Sequence, residues 1–363
     1  MPIIYKIAVT GGPCGGKTSF MEEALHYLLA TGVDCIVVPE AATQIISEWN
    51  ESPQGLSPEQ YRVFQWDVAN RVRILEVRAY EEALRSSFDT VVILCDRGLL
   101  DARAYMEDHE FRAVMKEMGT SLEEVLLTRY DGAIHMQTAA QGAEEFYTLE
   151  NNESRKETPE QARALDHKTL QAWAGAYKLS VIPNTSGGTF QDKIDHAISV
   201  VDQIIGRETS YEVERKWTVV DQDLSHIFGP ALRIHQTYLK GHKDERVRVI
   251  QLGEVELIVH TLKVEHDGEG VIEIERKITR DEYQSLLASR GVSGVPIIKK
   301  RTVFAYENQI YELDQFLGEY RGISVLELEV PSLGERFSLP SIALGREVTG
   351  NPEFSNKNMA SAA

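Results

Sequence analysis

The sequence predicts two domains in series: an α/β half with a parallel sheet and flanking helices, followed by a half of antiparallel strands. Three observations carry this. A short apolar run, Tyr5 to Thr10, leads through a glycine-rich turn into an amphipathic stretch, and later apolar runs alternate with helical ones. From about Tyr211 the pattern changes, and eight strand-like segments place charged or polar side chains two residues apart or singly, on the period of a strand. Between the two patterns, Gly206 to Ser210 is a short polar join, so domains are expected at 1–206 and 207–363, in keeping with a chain of 363 residues.

The composition is that of a globular protein, 42% hydrophobic and 26% charged. A net charge of −18 argues against a general nucleic-acid or anionic-membrane surface, so an anionic ligand must be drawn by a local basic site. Cys14, Cys35 and Cys95 lack zinc-type spacing and read as reduced cysteines of a cytoplasmic protein. No signal peptide and no apolar run of about 20 residues is evident, so no membrane span is expected.

The first strand runs into Gly11-Gly12-Pro13-Cys14-Gly15-Gly16-Lys17-Thr18-Ser19, a full Walker A pattern. Its glycines let backbone N–H groups close round phosphates, Lys17 reaches the β/γ oxygens, and Thr18 offers a hydroxyl to Mg²⁺. A plain glycine-rich turn is the alternative, but a strand before and a helix stripe after (Phe20, Ala24, Leu25, Leu28, Leu29) favour the phosphate loop. Cys35 to Glu40 and Thr90 to Arg97 read as further buried parallel strands, with one long helix from Ser57-Pro58-Glu59-Gln60 to about Ser86 between them. Asp96 ends its strand where a carboxylate would meet Mg²⁺ directly or through water, while Arg97 is open to two readings, phosphate contact or an ordinary surface ion pair. Tyr130 to Met136 is a fourth strand. The polar segment from Ala139 to Pro159 is long enough for a lid, with Arg155 its first phosphate candidate and Arg163 the second. Leu179 to Pro183 is the last strand, with Asn184 at its carboxyl end, and Phe190 to Ile205 the closing helix.

This set resembles the P-loop NTPase family of ATPases and kinases akin to nicotinamide-riboside and nucleoside kinases. The resemblance implies ATP or GTP as ligand, with Glu40 facing a phosphate acceptor. No motif for guanine is present, since Asn356-Lys357-Asn358-Met359 lacks the aspartate of Asn-Lys-x-Asp.

In the second half, Glu212, Glu214 and Lys216 share one strand face, and later segments add Gln236 and Tyr238, Arg246 and Arg248, Lys263, Glu273 and Glu275, Lys299 and Arg301, Glu312 and Asp314, and Glu327 and Glu329. One such pair alone is commonly a wet outer face. The mixed signs in succession suit a barrel interior in which Arg and Lys neutralise a polyanion while carboxylates hold Mg²⁺ or Mn²⁺. Glu-x-Glu-x-Lys at 212–216, with Arg246-Val247-Arg248, Tyr311 to Phe316, Leu326 to Glu329 and Gly345 to Gly350, resembles the CYTH, or triphosphate tunnel metalloenzyme, superfamily.

That resemblance implies an eight-stranded antiparallel tunnel that binds triphosphates with divalent metal. Glu212, Glu214, Lys216, Glu327 and Glu329 would then be catalytic, the four carboxylates among them would hold a metal of their own, separate from the one expected at Thr18 and Asp96 in the first half, and Arg246, Arg248, Lys263, Lys299 and Arg301 would hold the triphosphate. Glu273, Glu275, Glu312 and Asp314 would support them. Thr279 to Glu282 caps an inserted helix, and Asn351 to Ala363 reads as a polar tail.

The order of the two halves is similar to the TRPL translocation defect protein family. Two functions are therefore expected to compete: hydrolysis of tripolyphosphate or a nucleoside triphosphate, or a nucleotide switch whose basic mouth captures a phosphoinositide headgroup at a membrane.

Overall fold

The computed structural model describes residues 1–49, 53–147, 158–184, 188–208, 213–220, 223–242, 244–266, 270–330, 337–342 and 344–362. The chain divides into two compact units, Met1–Ile205 and Gly206–Ala363.

The first unit contains β1 (Ile3–Thr10), α1 (Lys17–Ala30), β2 (Asp34–Val38), α2 (Ala41–Trp49), α3 (Pro58–Ala83), β3 (Thr90–Asp96), α4 (Asp108–Glu117), the single turn α5 (Leu122–Glu124), β4 (Gly132–Met136), α6 (Pro159–Trp173), β5 (Leu179–Ile182) and α7 (Phe190–Ile204). Its five strands lie in the order β2-β3-β1-β4-β5 and pair in parallel. β1 lies between β3 and β4, and the chain runs first from β1 to β2 on one side and later from β3 to β4 on the other; the crevice at that reversal, beyond the carboxyl end of β1, is where open α/β sheets bind ligands. Helix α3 starts as its sequence requires, with the Ser57 hydroxyl accepting from Gln60 N, the Gln60 side chain returning to Ser57 N, and Pro58 in the first turn. One face of the sheet is sealed by α1 and α7, which bring Phe20, Leu28 and Ile194 onto Ile7, Val92 and Ile134. Each such buried side chain contributes roughly 1.5–3 kcal/mol.

The second unit contains β6 (Val213–Val219), β7 (Ala231–Leu239), β8 (Glu245–Leu252), β9 (Val255–His266), β10 (Gly270–Lys277), α8 (Arg280–Arg290), β11 (Val292–Tyr306), β12 (Gln309–Phe316), β13 (Ser324–Val330), β14 (Leu344–Glu347) and α9 (Asn356–Ala362). The order is β10-β9-β8-β7-β11-β12-β13-β6-β14, antiparallel throughout, so nine strands stand among the described residues where eight were expected. The extra one, β14, spans four residues, Leu-Gly-Arg-Glu, too short and too polar to show a strand's alternation.

One face of this sheet is apolar and covered. Trp217, Tyr311, Leu313, Leu326 and Leu328 pack with Phe337 and Ile342, and α8 lays Tyr283, Leu286 and Leu287 over Leu239, Val247 and Ile258. The other face carries the charges.

The expected polar tail is instead partly helix. In α9, Met359 and Ala360 are buried against Tyr238, Ile297, Phe316 and Val325, which lie in the register of the charged face and make one end of it apolar. Gly294, at φ +70°, permits this approach: a methyl group there would fall 2.0 Å from the Ala360 carbonyl oxygen. Among the described residues no helix is long and apolar enough to cross a membrane.

Candidate functional site

The glycine-rich loop follows β1 in the geometry its sequence demands. Gly11 has φ +132°, and a Cβ there would lie 2.1 Å from the Met136 carbonyl oxygen, so only glycine fits. Gly12, Pro13, Cys14, Gly15 and Gly16 carry the chain into α1, whose amino end has neither a side-chain cap nor an acidic residue in its first turn. Those N–H groups are left for an anion. Lys17 folds back, its Nζ donating to the carbonyls of Gly11 and Gly12 at 3.3 and 3.2 Å. Burial, with Arg97 nearby, pushes its ammonium down to about 8. Thr18 is exposed and Ser19 half-buried in the same turn. Asp96 ends β3 with its Oδ1 buried and without a hydrogen-bond partner among the described residues, and burial raises its carboxyl. An orphaned carboxylate oxygen beside a phosphate loop suits a hard cation such as Mg²⁺.

Of the two readings the sequence left open for Arg97, the structure bears on the surface ion pair. The Arg97 side chain is only 16% exposed, with Nε donating to Glu40 Oε1 at 2.6 Å and Nη1 to Asp101 Oδ1 at 2.9 Å and to the Gly11 carbonyl at 3.3 Å. It is therefore an internal brace under the loop rather than a surface pair, held at φ +67°. Burial alone would raise the Glu40 carboxyl, but Arg97 and the Thr43 hydroxyl bring it to about 2, so it stays ionised.

The start of the expected lid is docked, with Thr138 Oγ1 donating to the Pro13 carbonyl and Ala139 N to that of Cys14. Arg163 donates to the Ala140 carbonyl, and Arg155 lies outside the described residues. Both amide hydrogens of Asn184 are committed to the carbonyls of Thr138 and Gln141.

On the charged face of the second unit, the register brings the carboxylates together on β6, β13 and β12: Glu329 opposite Glu214, and Glu327 between Lys216 and Glu312. Lys216 Nζ lies 2.7 Å from Glu214 and 2.9 Å from Glu327. Burial would lower that ammonium, yet Glu327 and Glu214 hold it well above the usual lysine range. Arg301 joins Glu312, Asp314 and Glu327, and Lys299 joins Asp314. Burial would raise Glu327, but Lys299, Lys216 and Arg301 hold it well below the carboxylate range. Glu212 lies outside the described residues.

A second group occupies β8, β9 and β10. Glu273 meets Arg246 at 2.7 Å and Lys263 at 2.6 Å, and Arg248 meets Glu275. Burial opposes ionisation of Glu273, and the three cations overcome it, bringing the carboxyl to about 2. Gln236 donates to the Tyr238 hydroxyl beside this group.

The two groups approach one another in space. Four strands separate β9 from β13 in the sheet, a flat distance of about 20 Å or more. Glu329 nevertheless feels Glu273 and Lys263. The sheet must curl to bring them close. Glu329 is exposed on β13, yet desolvation by the protein around it is the chief cause of its raised carboxyl. Burial and then Glu312, Glu214 and Glu273 push it up to about 7. The group around Glu329 has more carboxylates than cations, and its donors are all oxygen, so it suits a divalent cation. Among the described residues, no three His, Cys, Asp or Glu side chains already stand at metal-holding spacing.

Residues 6–192, more than half of the chain, match the profile of a family described as an AAA domain. An inorganic triphosphatase of Acetivibrio thermocellus is 32% identical over 149 residues, which cover 41% of this chain and 92% of that protein. The chain belongs to both families. Two solved structures are also similar: an inorganic triphosphatase, 26% identical, covering 43% of this chain and 98% of the other with a TM-score of 0.31, and a conserved hypothetical protein of Pyrococcus furiosus, 20% identical, covering 33% and 79% with a TM-score of 0.27.

Three groups in the AAA domain carried no sequence signal. Asp101 accepts from Thr10, Gly98, Trp173 and Arg97, and so ties the end of β1 to the brace. Asp166, fully buried on α6, accepts from Gly12 N at 2.6 Å and contacts His135. Lys193 on α7 donates to the Gln137 carbonyl and to Asn184 Oδ1. Thr10, Trp173, Gly12 and Gln137, the partners that tie these groups to other elements, lie 56 to 154 residues away, beyond the reach of local spacing.

Proposed function

We propose that this protein hydrolyses a linear triphosphate on the charged concave face of its second unit, and that the AAA domain binds a nucleoside triphosphate separately. The observation that carries the reading is the mixed charge of that face: cations outnumber carboxylates in one group, Arg246, Arg248 and Lys263 with Glu273 and Glu275, and carboxylates outnumber cations in the other, Glu214, Glu312, Asp314, Glu327 and Glu329 with Lys216, Lys299 and Arg301. A polyanion with its counter-cation needs both. The match to the inorganic triphosphatase, at 149 residues, is of a length that the second unit can hold, and the tunnel of the CYTH superfamily is the fold we assign to it.

The cations, with Lys299 and Arg301, hold the phosphate oxygens and neutralise charge that grows as a phosphoanhydride bond breaks. Glu214, Glu327 and Glu329, joined by Glu212, would hold Mg²⁺ or Mn²⁺, which when bound adds positive charge at the phosphate oxygens. Glu312, whose carboxyl burial raises, would orient the attacking water and accept its proton. Lys216 bridges Glu214 and Glu327 and offsets their mutual repulsion.

In the AAA domain, Lys17, Thr18 and Asp96 take the phosphates and their cation. The ionised Glu40, braced by Arg97, favours a second reading in which that half transfers phosphate to a small hydroxyl acceptor held at Glu40.

Phosphate release from tripolyphosphate, ATP, GTP and pyrophosphate, with Mg²⁺, Mn²⁺ or chelator, tests the main reading. Release that needs metal and prefers tripolyphosphate supports it. Binding of triphosphate without release would leave a sensor, and a phosphoinositide headgroup would then be the ligand to try.

A further inference from the structure

An exposed aromatic ring sits at the edge of the phosphate loop, unused by the chemistry above. Phe190 opens α7 and is 51% exposed, whereas Ile194 and Ala197 further along that helix are fully buried. A methyl group placed on Gly16 would fall 2.7 Å from Phe190 Cε2 and 3.0 Å from Cζ. The ring edge therefore rests on the last glycine of the loop, at the amino end of α1. Among the described residues no other aromatic ring packs on it, although a phenyl ring this exposed gains little from burial.

The polar groups around it are already committed. Asn184 spends both amide hydrogens on the carbonyls of Thr138 and Gln141, and its oxygen accepts from Lys193. Thr189 caps α7 by accepting from Asp192 N. They make a firm corner with one apolar surface facing outward. A nucleoside triphosphate anchored by its phosphates carries its base one ribose away, within reach of a ring seated on Gly16.

We propose that the Phe190 ring is the platform on which the base of the nucleotide stacks. This rests on the reading of the AAA domain as a nucleoside-triphosphate site. Stacking uses the π-face that every base has, so adenine and guanine should lose equally when the ring is removed.

The test is equilibrium binding of ATP and GTP analogues with a non-hydrolysable β–γ bridge to the full chain, counting only binding that Lys17→Ala removes. Phe190→Ala should weaken both analogues by about tenfold or more and by similar factors. Phe190→Trp should retain affinity, and its added indole fluorescence should be quenched by either analogue but not by inorganic tripolyphosphate, which has no base. Should the alanine variant fold poorly, as a thermal melt would show, the tryptophan variant decides alone. Unchanged affinity in the alanine variant, or equal quenching by tripolyphosphate, overturns the platform and leaves the nucleotide site standing. No Lys17-dependent binding in the wild type overturns both.

Discussion

Glu329 on β13 stands directly opposite Glu214 on β6, two carboxylates paired across adjacent antiparallel strands, where like charges repel. Burial, Glu312, Glu214 and Glu273 together raise the Glu329 carboxyl from its ordinary 4.5 to about 7, against the opposing pull of Lys263. Because the unfolded chain releases this proton first, stability should fall as pH rises from about 4.5 to about 7 and stay level above. In chelator, Glu329→Gln should flatten that part of the profile and raise the melting temperature at pH 8. Adding Mg²⁺ or Mn²⁺ to the wild type should flatten it too. A wild-type profile that rises through this window in chelator, unchanged by the substitution, would contradict the assignment.

Glu214→Gln should cost turnover far more than affinity, while Arg248→Ala should weaken affinity as well. A carboxylate that holds the metal acts mainly on charge developing in the transition state, and a guanidinium on phosphate is engaged before it. The loss in kcat for Glu214→Gln should be about 10²- to 10³-fold. Steady-state kinetics on tripolyphosphate separate the two, and equal effects on KM would count against these roles.

Lys17→Ala should weaken nucleotide binding by about 10- to 100-fold, the worth of one charge-assisted hydrogen bond or more. Tripolyphosphate hydrolysis should persist, since the proposed triphosphate site lies wholly on the second unit and Lys17 on the first. Parallel loss of both activities would point to one shared site.

The fragment from Gly206 onward should fold alone and keep metal-dependent triphosphate binding, because its apolar sheet face is covered by its own α8 and by Phe337 and Ile342. Circular dichroism and a binding titration check this. An unstructured fragment would show that the boundary cuts through a shared core.

What the sequence by itself determined is what depends on near neighbours in the chain. The phosphate loop needs glycine at set backbone positions, so Gly11, Gly12, Gly15 and Gly16 announce it, and Ser57 and Thr279 mark helix starts because a cap bonds only three residues on. The two-residue period likewise put Arg246 with Arg248 and Glu327 with Glu329 on one face, since alternation belongs to any strand.

The tertiary structure alone decided who meets whom. Asp101 reaches Thr10 across 91 residues and Asp166 reaches Gly12 across 154, separations at which no local pattern survives. It turned Arg97 into an internal brace, spent the Asn184 amide on neighbouring carbonyls, added β14, and folded the polar tail into α9 because Met359 and Ala360 find an apolar pocket. Most of all it set Glu329 against Glu214, Glu312 and Glu273 at once: Coulomb energy depends on distance through space, and only the curled sheet fixes that distance.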